Sequence, residues 1–206
     1  SSTRLSLINR DIIWVTAHIR GGMERGMKWW KEGKLLNKKN SFKDYIAVAK
    51  FLIEKKYTSN KKIIGMGGSA GGLLMGAVVN QAPELFSGII MAVPFVDSLT
   101  TNLDHSLPLT VGEFEEFGNA KKNKEHFDYI YSYAPYNNIK KMDYPHMLIT
   151  TSLSDNRVLF DEPAKFTAKL RDYKTDNNIQ KMDYPHILIT TSLSDNRVLF
   201  DEPAKF

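Results

Sequence analysis

The chain of 206 residues contains no cysteine. Disulfide bonds and thiolate metal ligands are therefore excluded. Its apolar runs are short, and none of them resembles a signal peptide or a membrane-spanning segment. These absences predict a soluble, cytoplasmic protein without a membrane partner.

Strong charge of one sign is also lacking, because the net charge is only +5. The lysines form scattered pairs at the ends of predicted elements rather than one basic stripe, and no nucleic-acid-binding motif accompanies them. We therefore expect no nucleic-acid partner. Histidine, aspartate and glutamate nowhere cluster at metal-ligand spacing, so the sequence implies no metal and no other cofactor. It does not indicate an oligomeric state.

Short apolar runs alternate with amphipathic stretches along the chain. Strands are predicted at residues 12–17, 62–66, 88–93 and 147–151. Helices are predicted at residues 42–56, 70–80 and 162–173. This alternation is typical of an α/β fold, with a mostly parallel sheet and helices on both of its faces.

Several local features add detail to these predictions. The run at residues 12–17 is continuously apolar, which predicts a strand buried on both faces. Ser41 and Asp44 predict a capping box at the start of the first long helix. We expect Phe166, Leu170 and Tyr173 to face inward in the last helix, and the Trp29-Trp30 pair to lie in a loop that covers the edge of the sheet.

One serine stands in a glycine cluster after the second predicted strand. The sequence Gly-Gly-Ser-Ala-Gly at residues 67–71 fits the G-x-S-x-G nucleophile elbow, in which a strand turns sharply into a helix and exposes the serine hydroxyl. We expect side chains at Gly67 or Gly71 to collide with the neighbouring elements. Ser69 is therefore a candidate nucleophile.

Two other interpretations of this stretch remain open. Residues 65–70 also fit G-x-G-x-x-A, the dinucleotide-binding fingerprint. That fingerprint needs a carboxylate at the end of the next strand, whereas Glu84 lies ahead of the next apolar run. The other alternative is a glycine-rich turn with an incidental serine.

A serine hydrolase also needs an acid and a base, and in α/β hydrolases the chain order is serine, acid, histidine. Asp155 follows the predicted strand at residues 147–151, at the carboxyl edge of the sheet, and is the candidate acid. An aspartate in this position is more commonly a turn residue, because its side chain bonds to nearby backbone.

The end of the chain repeats an earlier segment. Residues 137–166 recur as residues 177–206, with Gln180 in place of Lys140 and Ile187 in place of Met147. Two copies are too few for a solenoid, so we interpret the repeat as a duplication rather than an architectural unit. We predict one domain at residues 1–178 and its duplicate segment at residues 177–206.

Taken together, these motifs resemble the prolyl oligopeptidase family of serine peptidases, and most of all its oligopeptidase B branch. The resemblance rests on residues 17–22, 67–72, 93–97, 108–119, 143–146 and 155–165, which occur in the order that the family has them. It implies an α/β-hydrolase fold, with residues 1–178 as a partial α/β-hydrolase catalytic domain that is the central piece of a longer one.

The resemblance also implies roles for individual residues. Ser69 matches the nucleophile, the backbone N–H of Ala70 one oxyanion donor, and Asp155 the triad acid. Glu113 and Glu115 match acidic positions that favour arginine or lysine before the cleaved bond, and Phe95 matches an apolar wall of that pocket. Short basic peptides are the substrates that follow. From the residues alone, the two glutamates equally fit a solvated acidic loop.

The catalytic histidine of the family has no match in this chain. The five histidines are His18, His105, His126, His146 and His186. The duplicate occupies the place of the family's last strand, with residues 187–191 available as that strand and Asp195 where the histidine loop belongs. We therefore expect a parent peptidase and a nearly inert chain. The alternatives are a non-catalytic binding module of hydrolase-like fold and a carboxylesterase.

Overall fold

The structure is a computed structural model, and it describes residues 4–173 and 187–192. The regular elements are α1 (Leu5–Ile8), α2 (Met27–Lys31), α3 (Lys39–Glu54), β1 (Ile64–Gly68), α4 (Ala70–Gln81), β2 (Gly88–Ala92), α5 (Ser98–Leu103), α6 (Phe114–Phe117), α7 (Lys124–Tyr131), β3 (His146–Ser152), α8 (Asp161–Tyr173) and β4 (Ile187–Ser192). Single 3₁₀ turns lie at Leu35–Asn37, Pro83–Leu85 and Tyr136–Asn138.

Four parallel strands form the sheet, in the order β1-β2-β3-β4. Since the strands run in the same direction, their carboxyl ends meet at one edge of the sheet. Three of the four predicted strands and all three predicted helices are confirmed, with small differences in their bounds. The α/β fold class is therefore confirmed as well.

The core lies between the sheet and α4. Ile89 and Met91 of β2 are at most 1% exposed, as are Leu73 and Met75 of α4. In β1 the position facing this helix is Gly65, where a Cβ atom would lie 3.1 Å from the Met75 sulfur. The missing side chain thus allows α4 to pack directly on the strand that leads to Ser69.

The fourth strand comes from the duplicate segment. In the β3–β4 pair, Met147 lies opposite Ile187 and Ser152 lies opposite Ser192, so each residue of the first copy faces its own counterpart. Residues 187–191, which the sequence makes available as a strand, thus lie in β4. Asp195 lies outside the described residues, and the division of the chain into a domain and a duplicate stays a prediction.

The predicted strand at residues 12–17 is wrong. This segment has no regular structure, and Ile12, Ile13 and Val15 are 47%, 67% and 46% exposed. A strand needs a neighbour for its backbone hydrogen bonds, and none of the four strands pairs with this segment. A β-branched apolar composition is not sufficient without that neighbour.

Three predictions about helices also fail. The Trp29-Trp30 pair lies in α2 rather than in a loop. The capping box is absent because α3 begins before Ser41. Both side chains bind Arg20 instead: the Ser41 hydroxyl donates to the Arg20 carbonyl, and Asp44 accepts from the Arg20 guanidinium at 2.6 Å. In α8, Phe166 and Leu170 are buried as predicted, whereas Tyr173 is 41% exposed at the end of the helix. Of the helices in the described residues, none combines the length and the hydrophobicity needed to cross a membrane.

Candidate active site

Ser69 occupies the turn between β1 and α4. Its backbone has φ 52° and ψ −118°, a conformation that residues other than glycine rarely adopt. The Ser69 N–H donates to the Ala92 carbonyl at 2.9 Å, and the Ser69 carbonyl accepts from Phe95 N–H at 3.1 Å. These bonds hold the turn against the end of β2, as the nucleophile elbow requires.

The glycines around Ser69 differ from the prediction in one respect. A Cβ atom at Gly67 would lie 2.2 Å from the Gly71 carbonyl oxygen, which confirms that only glycine fits there. At Gly71 a Cβ atom would meet nothing within 4 Å, so the predicted collision at this position is wrong. The tight contact is at Gly72, where a Cβ atom would lie 2.5 Å from the Pro94 Cα. Gly72 lets the loop after β2 approach the helix.

An amide suitable for an oxyanion lies next to Ser69. Ala70 is the first residue of α4, and its N–H has no backbone acceptor among the described residues. The first amides of a helix point out from its positive end, where they stabilise negative charge. This geometry suits the predicted role of Ala70 as an oxyanion donor, which stays a prediction.

Asp155 lies just beyond β3 and is 9% exposed. Its Oδ1 accepts from the backbone N–H of Arg157 at 2.9 Å and of Val158 at 3.1 Å. None of the hydrogen bonds within the described residues engages Oδ2. One carboxylate oxygen is thus fixed by the backbone while the other is available to a base.

The strand order brings Ser69 and Asp155 to the same edge of the sheet. They follow β1 and β3, which are separated by β2 alone. Two strand spacings amount to about 10 Å. At this edge the Val93 N–H also donates to the Thr150 carbonyl at 2.7 Å, so the ends of β2 and β3 are tied together. In a triad, an imidazole fills the gap between the serine and the acid.

No histidine bridges that gap in the part of the chain that the structure describes. His126 accepts from the Asn119 N–H at its Nδ1, and His105 packs edge-on against Phe114. His18 lies 3.5 Å from the Glu24 carboxylate, more than half exposed. His146 begins β3, at the opposite end from Asp155. His186 is outside the described residues.

The two predicted specificity glutamates, Glu113 and Glu115, differ in their exposure and in their contacts. Glu115 is exposed, and its carboxylate lies 2.9 Å from Lys34 Nζ. Glu113 caps α6 and is half-buried, and burial raises the pKa of its carboxyl; Glu116 raises this pKa further and Lys38 opposes the shift. The Glu113 carboxylate makes none of the side-chain hydrogen bonds found among the described residues, whereas its backbone bonds Leu109 and the first turn of α6. It is therefore the glutamate that remains available to a ligand.

Sequence reasoning missed the residues that hold α6 in place. Glu116 accepts from Lys38 Nζ at 2.5 Å and from the Trp30 indole at 3.2 Å. Lys34, the partner of Glu115, lies 3.6 Å from the centre of the Trp30 ring. The contacts of Glu115 and Glu116 with these residues span about eighty positions, and no local pattern in the sequence signals them.

Phe95 is 7% exposed, and its ring centre lies 5.6 Å from that of Phe117 in α6. The predicted apolar wall is thus packed against the helix that follows Glu113. Two cavities of about 660 and 240 Å³ lie elsewhere, around α7 and the end of α4, and none of the predicted site residues lines them.

Comparison with known proteins accounts for this arrangement. Residues 1–185 match the model of the prolyl oligopeptidase family. The chain belongs to the prolyl oligopeptidase family. It is 54% identical to "Protease 2" of Moraxella lacunata over 173 residues, and 48% identical to "Dipeptidyl aminopeptidase BI" of Pseudoxanthomonas mexicana over 175 residues. These matches cover 84% and 85% of the chain.

Solved structures of this prolyl oligopeptidase family agree in fold. Oligopeptidase B from Leishmania major superposes with a TM-score of 0.87 at 44% identity, over 94% of this chain and 26% of that one. The α/β-hydrolase fold is thereby confirmed. The chain spans only about a quarter of the curated relatives, namely 25% of "Protease 2" and 24% of "Dipeptidyl aminopeptidase BI".

Proposed function

We propose that the chain is part of the catalytic domain of a serine peptidase, in which Ser69 attacks the peptide carbonyl. The observation that carries this proposal is the Ser69 elbow. Its strained backbone presents the hydroxyl beside the free N–H of Ala70, at the sheet edge that also bears Asp155. In this mechanism Ala70 N–H stabilises the oxyanion, and Asp155 orients the base that takes the serine proton.

The 206 residues are nearly inert without an added base. A serine hydroxyl is a weak nucleophile near neutral pH, and a carboxylate in the Asp155 position orients the imidazole without replacing it. In a serine protease of another fold, loss of the histidine alone lowers turnover on the order of a million-fold. The described histidines make other contacts and leave Ser69 without this partner.

A fluorophosphonate probe tests the nucleophile in the chain as it is. We expect very slow labelling in plain buffer and at least roughly tenfold faster labelling with added imidazole, which supplies the missing base. Ser69→Ala abolishes the labelling. Asp155→Asn weakens the imidazole effect, whereas the matched control Asp172→Asn, at an exposed carboxylate of α8, does not.

Two results contradict the proposal. Labelling in plain buffer at the rate of an intact family member shows that the chain already has a base. An unlabelled Ser69 in the presence of imidazole shows that this serine is not a nucleophile.

We further propose a preference for arginine or lysine before the cleaved bond, with Glu113 as the carboxylate that binds the basic side chain. A half-buried carboxylate binds a guanidinium strongly, because charge-assisted hydrogen bonds gain strength away from water. Glu115 already has an ammonium partner in Lys34. We therefore assign Glu115 to holding α6 in place, and short basic peptides as substrates.

Benzamidine binding, measured by calorimetry, separates the two glutamates. Glu113→Gln weakens binding by about tenfold, or about 1.4 kcal/mol, while Glu115→Gln changes it less than about twofold. Affinity rises with pH as Glu113, whose pKa is raised by burial, loses its proton. Equal losses in both variants contradict the assignment of Glu113.

A further inference from the structure

Two parts of the family resemblance remain without a role in this mechanism. One is Asp97, at the end of the loop after β2 (residues 93–97), and the other is the start of α8, which contains Glu162 and Lys165. The structure brings them together through buried charged groups. Asp97 is 1% exposed and Glu162 is 3% exposed, which is rare for carboxyl groups unless they have partners.

The contacts at this junction are short and specific. Lys165 Nζ lies 2.5 Å from Asp97 Oδ2. Glu162 Oε2 accepts from the Asp97 backbone N–H at 2.8 Å, and its Oε1 accepts from the Thr101 hydroxyl at 2.5 Å. Glu162 therefore bonds both the end of the loop and Thr101 of α5. We call Asp97, Glu162 and Lys165 the loop anchor.

The loop anchor connects the two halves of the candidate site. At one end of the loop, Phe95 N–H donates to the Ser69 carbonyl at 3.1 Å. At the other end, Asp97 is bound to α8, the helix that directly follows the segment containing Asp155. The distance between the serine and the acid thus depends on a loop that is fixed at both ends.

We propose that Glu162 is a positioning residue that holds the loop at residues 93–97 against α8 and thereby sets the position of Ser69 relative to Asp155. The link to catalysis rests on the proposed function, whereas the anchoring of the loop does not. Glu162 makes no contact with a reacting group. It acts through Asp97 N–H, Phe95 N–H and the Ser69 carbonyl in turn.

The charge balance of the loop anchor makes it sensitive to pH. Burial raises the pKa of Glu162 to about 7, although the hydrogen bonds from Thr101 and Asp97 N–H oppose the shift. When Glu162 loses its proton, a second buried negative charge stands beside Asp97. Lys165 pairs with Asp97 and lowers the pKa of Glu162 by its charge, but it also pairs with Asp161 at 3.3 Å. Ionisation of Glu162 therefore weakens the anchor.

Amide hydrogen exchange of the full chain, followed by mass spectrometry, tests the anchor without any need for activity. Glu162→Ala accelerates exchange in residues 93–101 at least about tenfold relative to α3, because the Asp97 N–H loses its acceptor. Glu162→Gln restores protection, since its amide oxygen accepts the same bond. Asp161→Asn is the matched control, at an exposed carboxylate that shares Lys165.

The pH profile separates positioning from general stabilisation. After correction for the intrinsic rate, exchange in residues 93–101 of the unaltered chain accelerates at least about threefold between pH 6 and pH 8, and Glu162→Gln removes this change. The proposal is overturned if residues 93–101 of Glu162→Ala exchange their amide hydrogens as slowly as those of the unaltered chain. An unchanged pH profile in Glu162→Gln also overturns it, and this result decides the matter if Glu162→Ala unfolds the whole chain.

The link to Ser69 has its own readout. With imidazole present, Glu162→Ala slows fluorophosphonate labelling of Ser69. Glu162→Gln slows the labelling to a smaller extent. If the unaltered chain is not labelled, the proposed function fails, while the exchange data still decide whether Glu162 anchors the loop. Labelling that is equally fast in Glu162→Ala and the unaltered chain overturns the positioning of Ser69.

Discussion

Two strained residues stand side by side at the candidate site. Ser69 has φ 52° and Val93 has φ 42°, and positive φ is especially unfavourable for a β-branched residue such as valine. Each conformation costs roughly 1–3 kcal/mol and persists only because surrounding bonds impose it. Here those bonds are Ser69 N–H to the Ala92 carbonyl and Val93 N–H to the Thr150 carbonyl. Strain concentrated at one sheet edge is typical of a functional site.

The contacts of single glycines lead to a prediction about stability. Gly67→Ala destabilises the chain by about 2 kcal/mol, because the new methyl group would lie 2.2 Å from the Gly71 carbonyl oxygen, and a backbone atom cannot move away without distorting α4. Gly71→Ala keeps or raises stability by up to about 1 kcal/mol, since alanine favours the helix and the space is open. Urea denaturation measures both variants.

Gly72→Ala provides a second comparison, because its methyl group would meet the Pro94 backbone. It should resemble Gly67→Ala rather than its neighbour Gly71→Ala. If all three variants lose similar stability, the close approaches at the elbow are not what selects glycine.

Among the elements, two segments of similar composition differ in whether they form a strand. Residues 12–17 are β-branched and apolar but form no strand, whereas residues 187–192 form β4. The difference is the neighbour, since β4 pairs with β3 through six matched positions. Backbone N–H and carbonyl groups need partners, and a strand exists where a second strand supplies them.

Proline substitutions test the pairing of β4. Along an edge strand, successive N–H groups point alternately toward the neighbouring strand and away from it, and proline has no N–H. One of Leu188→Pro and Ile189→Pro therefore removes a ladder hydrogen bond and costs about 1–3 kcal/mol more than the other. Urea denaturation of the two variants, each the control for the other, measures this asymmetry. Equal stability in both would show that β4 is not held by β3.

At the scale of the whole molecule, stability should depend on pH through Glu162. The folded chain holds this proton up to about pH 7, whereas the ordinary pKa of glutamate is 4.5. Between these values the folded state binds more protons than the unfolded state, so stability is lost as the pH rises through this window. The loss amounts to about 3 kcal/mol at most, at 1.36 kcal/mol per pH unit.

The comparison with Glu162→Gln isolates this effect from that of the other carboxyl groups. At pH 5 the two chains should unfold at similar urea concentrations, and at pH 8 the glutamine variant should be the more stable. Asp161→Asn, at an exposed carboxyl of the same helix, should follow the pH curve of the unaltered chain. Parallel curves for the unaltered chain and Glu162→Gln would show that Glu162 is already ionised at low pH.

Local patterns in the sequence were sufficient for much of the fold. The apolar runs and the three- and four-residue spacing predict β1, β2, β3, α3, α4 and α8, and the glycine spacing predicts the elbow at Ser69. Asp155 was also placed correctly at the carboxyl edge. These features depend on neighbours a few residues away, and the chain encodes such interactions directly.

Features that depend on distant partners could not be predicted in this way. Residues 12–17 lack a strand beside them, and Gly72 rather than Gly71 meets the loop at Pro94. Glu162 and Asp97 are 65 positions apart, yet one hydrogen bond joins them. Composition and periodicity say which surfaces are apolar or charged, but which surfaces meet is decided by how the elements pack. Burial and electrostatics at the site follow from that packing.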